Sequence, residues 1–230
     1  MCGRYAIYGP VSTSRAMKRV EDQLGLDLSA SINQREPQYN VAPTQYAPVV
    51  ALAEGGAQVK GLKWGLIPSW AKDPGIGARA INSRAETVAE KPMFRAAFKK
   101  RRCLVPASGY FEWRLEGGAK QPYYIREPDG NLMMFAGLWE AWRASDADEW
   151  TRTYTIVTGE PGRVSGDIHD RQPVILPPDL LDAWLTVSPE DALALLKVLP
   201  EAELTYHAVS KAVGNVRHKG PELVEPITVT

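Results

Sequence analysis

This 230-residue chain has little cysteine and little histidine: two of the first, Cys2 and Cys103, and three of the second. Two thiols cannot build a disulfide framework, and the reducing cytosol is the compartment that fits. Cysteines and histidines never fall at ligand spacings such as C-x₂-C, so no metal site is expected. Charge of one sign is also missing, because 27 Lys and Arg balance 27 Asp and Glu. That excludes an overall basic field for nucleic acid or anionic membrane, but not a local arginine patch. No apolar run approaches the roughly 20 residues of a membrane span, and no signal-peptide pattern opens the chain. Glycine-rich G-x-G-x-x-G and Walker A loops are absent, so no nucleotide cofactor is expected. Without repeats, low-complexity tracts or linkers, the chain reads as one soluble, cytoplasmic domain over residues 1–230.

The element pattern favours strands. "STSRAMKRVEDQLG" predicts a helix, with hydroxyls at its start, Met17, Val20 and Leu24 on one side and Gly25 to end it. "QYNVAPTQ" predicts a loop, and "APVVALA", "GGAQ" and "VKGLKWGL" predict strand, turn and strand. "IPSWAKDPGIGARAINSRAET" carries too many breakers for regular structure, and "KPMFRAAFKK" predicts a short helix. "CLVPASGYFEWR", "QPYYIREPDG" and "NLMMFAGLWEAW" predict consecutive strands, the last two joined at "PDG", followed by strands at "TRTYTIVT" and "PVIL". Helices at "PPDLLDAWL" and "SPEDALALLKVL" precede a late strand at "ELTYHAVS", and Ser188, Pro189 and Asp191 look like a helix start. Strands outnumber helices without alternating with them. The expected class is therefore α+β, with a largely antiparallel, barrel-like sheet core and flanking helices.

Cys2 stands in "MCGRY", directly after the initiator methionine. The small second residue favours removal of Met1, which would leave a free α-amine and a thiol on one residue. An α-amine has a pKa near ~7.8 against ~10.4 for lysine, so roughly one in seven is uncharged at neutral pH. Other polar candidates lie in irregular segments: Asn82 and Arg84 in "AINSRAET", Glu112 in "GYFEWR", and His169 and Arg171 in "DIHDRQPVIL". Each has a bland reading as well. Glu112 fits a solvent-facing alternation partner, His169 a turn residue, Asn82 and Arg84 ordinary turn and surface residues, and Cys103 a small core hydrophobe.

In combination they say more. "MCGRY", "YNVAPT", "WGLIPSW", "INSRAET", "GYFEW", "IHDRQPVIL" and "VSKAVGNVRHKGPELVEP" follow one another in this order. Across essentially the whole chain the series resembles the SRAP family, proteins that shield abasic sites in single-stranded DNA by cross-linking to them. The resemblance implies that Cys2 is the residue attached to DNA and that Asn82, Glu112 and His169 complete the catalytic set. It implies that Arg4 and Arg84 meet phosphates and that Pro43 and Trp70 wedge or stack against bases; Arg171 joins the phosphate set because guanidinium geometry matches a phosphate bidentately. The chain departs from the family pattern at Trp70-Ala71, where some members carry two tryptophans. It departs again at "TGEPGRVSG" before the histidine, and at Gln172, where methionine is usual.

The resemblance implies capture of the ring-opened deoxyribose aldehyde. The Cys2 amine would form a Schiff base, and its thiol would close a thiazolidine, a step aided by the effective concentration of two groups on one residue. Gly3 would let this tip approach the sugar. The expected partner is single-stranded DNA with abasic sites, met by a monomer with no cofactor, associated with the nucleoid when on DNA. Two other classes remain open: a cysteine (auto)peptidase with His169 as base and Glu112 as orienter, and a non-covalent single-strand-binding module.

Overall fold

In the computed structural model, which describes residues 2–11, 15–144 and 149–228, the chain forms β1 (Arg4–Ile7), α1 (Arg15–Leu24), α2 (Leu28–Asn33), β2 (Gln38–Val41), β3 (Tyr46–Ala53) and β4 (Gly56–Trp64). Next come β5 (Asn82–Arg84), α3 (Arg95–Lys100), β6 (Arg102–Ala107), β7 (Gly109–Glu116), β8 (Ala119–Arg126), β9 (Met133–Trp142) and β10 (Thr151–Gly159). The chain ends with α4 (Arg163–Gly166), β11 (Gln172–Pro173), α5 (Leu181–Thr186), α6 (Pro189–Val198) and β12 (Thr205–Ala208). Met1 and the expected capping hydroxyls of Ser12, Thr13 and Ser14 lie outside the described residues.

Two sheets carry the strands. In one, β10 pairs with β4 on one edge and β9 on the other, and β3 and β6 complete the path, so the five strands close on themselves. Closure leaves these strands no open edge for another chain to pair with. Trp64, Leu104, Val105, Phe135, Leu138, Tyr154 and Ile156 of this barrel have no exposed surface, and burying each such side chain stabilises by about 1.5–3 kcal/mol. The second sheet is antiparallel, in the order β12-β8-β7-β1-β2. Tyr5 joins the two. Its hydroxyl meets that of Tyr154 at 2.6 Å, and its ring stands edge-on to Trp64 at 5.3 Å. The class is α+β, as expected.

Most expected elements are present, but α2 and α4 were not expected, the strand expected at "PVIL" is reduced to Gln172–Pro173, and there are four further differences. The segment expected as one strand at "CLVPASGYFEWR" is two, because the chain leaves the barrel after β6 and joins the other sheet as β7. Ser108 marks the change, its N–H donating to Ala6 O at 2.8 Å. The strands on either side of "PDG" likewise belong to different sheets, so that turn is not a hairpin. Residues 38–41, expected as loop, are β2, because Asn40 is buried on partners far along the chain: its amide donates to Val213 O, Asn215 O and His218 O. The irregular stretch contains β5, a short strand parallel to β10. The helices follow local rules: Met17, Val20 and Leu24 are buried, Gly25 takes φ 59° just after α1, and Ser188 caps α6 by accepting from Asp191 N at 3.1 Å.

What positions the site is the edge of β10. β4 pairs with it at Thr153 and Tyr154 and then departs. β5 takes up the same edge, with Asn82 opposite Ile156 and Arg84 opposite Thr158. Trp64 braces the return by donating its indole N–H to Ile81 O at 2.9 Å.

Close packing inside the barrel gives the first test. A Cβ on Gly137 would come within 2.9 Å of both Cys103 Sγ and Val105 Cγ2, in a core where Cys103 is fully buried. Gly137→Ala should cost about 1–3 kcal/mol through overpacking. A lower urea midpoint at unchanged m value would show it, and an unchanged midpoint would refute the packing described.

Candidate functional site

Cys2 is tethered although it is almost terminal. β1 pairs with β7 in the register Arg4↔Phe111 and Tyr5↔Tyr110, which continued by one residue sets Gly3 level with Glu112. From the barrel side, Asn82 donates its amide to Cys2 O at 2.8 Å. The other end of that side chain, Oδ1, is buried and has no hydrogen-bond partner among the described residues. Cys2 itself is fully buried. Burial pushes its thiol well above the usual range, and the Glu112 charge adds to the effect, so the thiol is held protonated.

Glu112 is buried on β7, and that burial raises its carboxyl to about 7. Of the two readings of this side chain, a solvent-facing partner or a site residue, burial excludes the first: it is an interior acid at its midpoint near neutral pH. His169 arrives from a different element, the turn after α4. Its backbone N–H donates to Ser165 O at 2.9 Å, and Gln172 ties the turn by accepting from Gly162 N at 3.0 Å and from the Ser165 hydroxyl. His169 Nε2 then stands 3.9 Å from Glu112 Oε2. On the other ring edge Nδ1 accepts the Arg171 N–H at 3.1 Å and lies 2.7 Å from Asp170 Oδ1. One nitrogen cannot accept from the first and donate to the second. Burial lowers the His169 pKa and Asp170 is largely solvated, so the neutral ring with Nε2–H toward Glu112 is the form that fits.

The remaining candidates divide. Arg84 shares the face of β5 with Asn82 and is exposed. Trp70 is 56% exposed, and Trp142 donates to the carbonyl of the neighbouring Ala71 at 2.7 Å. Pro43 is half-buried in the turn after β2, at the Cys2 end of β1 because Val41 pairs with Tyr5. Thr44 beside it holds φ 72°, a left-handed conformation that β-branched residues rarely adopt. Arg4 and Arg171 are engaged by the protein itself. Arg4 donates to Asn40 Oδ1 at 2.9 Å and to Val213 O and Gly214 O, and Arg171 forks onto Glu86. The structure therefore brings Cys2, Asn82, Glu112 and His169 together and leaves Arg84 open on their flank. It seats Arg4 against the segment at residues 213–214.

The family model described as SOS response associated peptidase (SRAP) matches residues 1–216. The chain belongs to the SRAP family. It is 35% identical over 229 residues to the abasic site processing protein YoqW of Bacillus subtilis, covering 98% of this chain and 99% of that one. It is 32% identical over 238 residues to the abasic site processing protein YedK of Escherichia coli, covering 99% and 100%. It is 34% identical over 228 residues to the abasic site processing protein HMCES of Xenopus tropicalis, covering 85% and 68%. Among solved structures, a protein from Bacteroides thetaiotaomicron superposes with a TM-score of 0.80 at 27% identity, covering 99% of this chain and 100% of that one. Among the described residues of this SRAP chain, no helix is long and apolar enough to cross a membrane. Sequence reasoning gave no role to Glu86, Asn40, Ser165 or Gln172, although it marked Gln172 as a departure from the family pattern. They hold Arg171, Arg4 and the His169 turn, and the place of Glu86 in "NSRAET", two residues after Arg84, was a further signal.

A folded carboxyl near 7 against about 4.3 in an unfolded chain has a consequence for stability. Below about 4.3 both states are protonated and burial of Glu112 carries no ionic penalty. As pH rises toward 7, the unfolded carboxyl ionises while the folded one keeps its proton, so stability falls, and above 7 the loss is complete. Glu112→Gln removes this dependence. Its melting temperature should exceed that of wild type by a margin that grows from pH 4.5 to pH 8, whereas a constant margin would contradict the raised pKa.

Proposed function

We propose that this protein binds single-stranded DNA and captures its abasic sites covalently through Cys2 after removal of Met1. The reading is carried by the meeting of Asn82, Glu112 and His169 around residue 2, and the relatives described as abasic site processing proteins suggest the substrate class. The α-amine adds to C1′ of the open-chain aldehyde, and the carbinolamine loses water to give an imine. The thiol then adds across the C=N bond, sulfur to carbon and its proton to nitrogen, closing a thiazolidine. Aldehyde plus aminothiol thus gives the ring plus one water.

Each neighbour suits a step. Glu112, half protonated near pH 7, can donate to the departing hydroxyl and take the thiol proton. His169, kept neutral with Nε2–H inward, can donate to the sugar ring oxygen as it opens. The Asn82 Oδ1, without a hydrogen-bond partner among the described residues, suits the amine or the carbinolamine hydroxyl. Arg84 suits a backbone phosphate, with Pro43 and exposed Trp70 for the flanking bases. Peptidase chemistry fits less well. It needs a thiolate beside an imidazolium, and both Cys2 and His169 shift in the opposing directions.

Intact mass spectrometry after mixing with an abasic oligonucleotide should show protein without Met1 joined to the strand, less one water. Cys2→Ala should abolish the stable species. Capture by that variant at the wild-type rate, or by protein that retains Met1, would refute the mechanism.

Arg84→Ala should weaken binding to undamaged and abasic strands alike. It should also flatten the plot of log K against log salt by about 0.7, the value for one phosphate contact on a single strand. An unchanged slope in a folded variant would remove Arg84 from the interface.

A further inference from the structure

Arg171 is one of the arginines expected to pair with phosphate, yet it faces a carboxylate. Nη1 donates to Glu86 Oε1 at 2.6 Å and Nη2 to Glu86 Oε2 at 3.0 Å, while Nη2 also donates to Thr158 O at 2.7 Å. Two parallel N–H···O bonds are the same fork that two phosphate oxygens would take. The pair is lopsided in exposure: the Arg171 side chain is 15% exposed and that of Glu86 46%. The guanidinium is fixed from within by a main-chain carbonyl, and the carboxylate covers it from the solvent side. Glu86 also lines a cavity of about 760 Å³, so it has open volume to move into. Glu90, Glu160 and Glu201 line the same cavity beside a single cation, Lys197, so the cavity is a poorer seat for a phosphate than the Arg171 fork.

We propose that Glu86 is a phosphate-mimicking gate: it neutralises Arg171 in the free protein, and a backbone phosphate must displace it as the strand seats. The inference rests on the single-strand-binding reading above. Its consequence is specificity. Charge alone then holds undamaged DNA weakly, and retention falls to the covalent step at the lesion. Arg84, two residues away and open, makes the first contact, and its charge also steadies the Glu86 carboxylate.

The test is anisotropy titration of an undamaged labelled single strand across a salt series. Glu86→Gln should bind about three- to tenfold more tightly and steepen the salt slope by about 0.7, since one more phosphate contact forms without displacing a carboxylate. Arg171→Ala should bind more weakly than wild type, and adding Glu86→Gln to it should recover far less than Glu86→Gln gains alone, because the gain acts through Arg171. Glu90→Gln, which removes a nearby charge not bonded to Arg171, should give a smaller gain. Glu86→Asp keeps the charge on a shorter arm and should fall between wild type and Glu86→Gln. Melting temperatures near wild type establish that each variant is folded. A Glu86→Gln protein that binds no more tightly overturns the gate, and so does an equal gain in the Arg171→Ala background. If wild type still captures the abasic strand, those results leave the capture reading standing. A wild type that neither binds nor captures overturns both.

Discussion

The contact on which the arrangement depends is the pairing of Tyr5 with Tyr154. Chain ends fray unless something ties them, and a reactive residue at position 2 has almost no chain on one side to tie. Here the tie is made three residues later. Two buried hydroxyls satisfy each other at 2.6 Å, so neither ring carries an unmet polar group into the core, and breaking the pair would strand both. Tyr5 also meets Trp64 and Phe135 edge-on. β1 is thus locked to the barrel through aromatic packing as well as to β7 through its ladder, and Cys2 inherits that order.

The site is then assembled from parts that would each be unremarkable alone. Asn82 comes from a short strand on the barrel edge, Glu112 from the second sheet, and His169 from a turn held by Gln172 and Ser165. Burial does the electrostatic work. It raises the thiol and the carboxyl and lowers the imidazole, so every group is biased toward its neutral form. A neutral set of this kind transfers protons with little charge build-up in a poorly solvated space. It also means the site is bought with stability, as the pH dependence of Glu112 expresses.

Sequence reasoning reached the elements whose signals are local. α1 announces itself by Met17, Val20, Leu24 and Gly25, α6 by Ser188 and Pro189, and the β3–β4 hairpin by its paired glycines. It missed what long-range partners decide. β2 looked like loop because Asn40 and Pro43 are turn formers, and nothing nearby reveals that Asn40 is buried on residues 213–218. Ser108 gives no hint that the chain changes sheets there. Among site residues, the ordered motifs pointed to Cys2, Asn82, Glu112 and His169, whereas the alternation of "GYFEWR" taken by itself fitted a solvent-facing Glu112 and said nothing of its burial. The engagement of Arg4 and Arg171 by the protein's own carbonyls and by Glu86 was equally invisible, since a guanidinium's partner is chosen by the fold.

The divided edge of β10 separates two kinds of change. The chain leaves that edge after Trp64 and returns to it at Asn82, and the base of the excursion is closed by Leu66 N–H donating to Ala80 O at 3.1 Å. Trp70 rides on the excursion, whereas Asn82 belongs to the sheet. Loop length is thermodynamically cheap when both ends are pinned, so residues between them can be exchanged, added or lost without shifting the amide that holds Cys2. The exposed surface around Trp70 can therefore change in sequence while Asn82 and the Cys2 carbonyl it holds stay in register with β10.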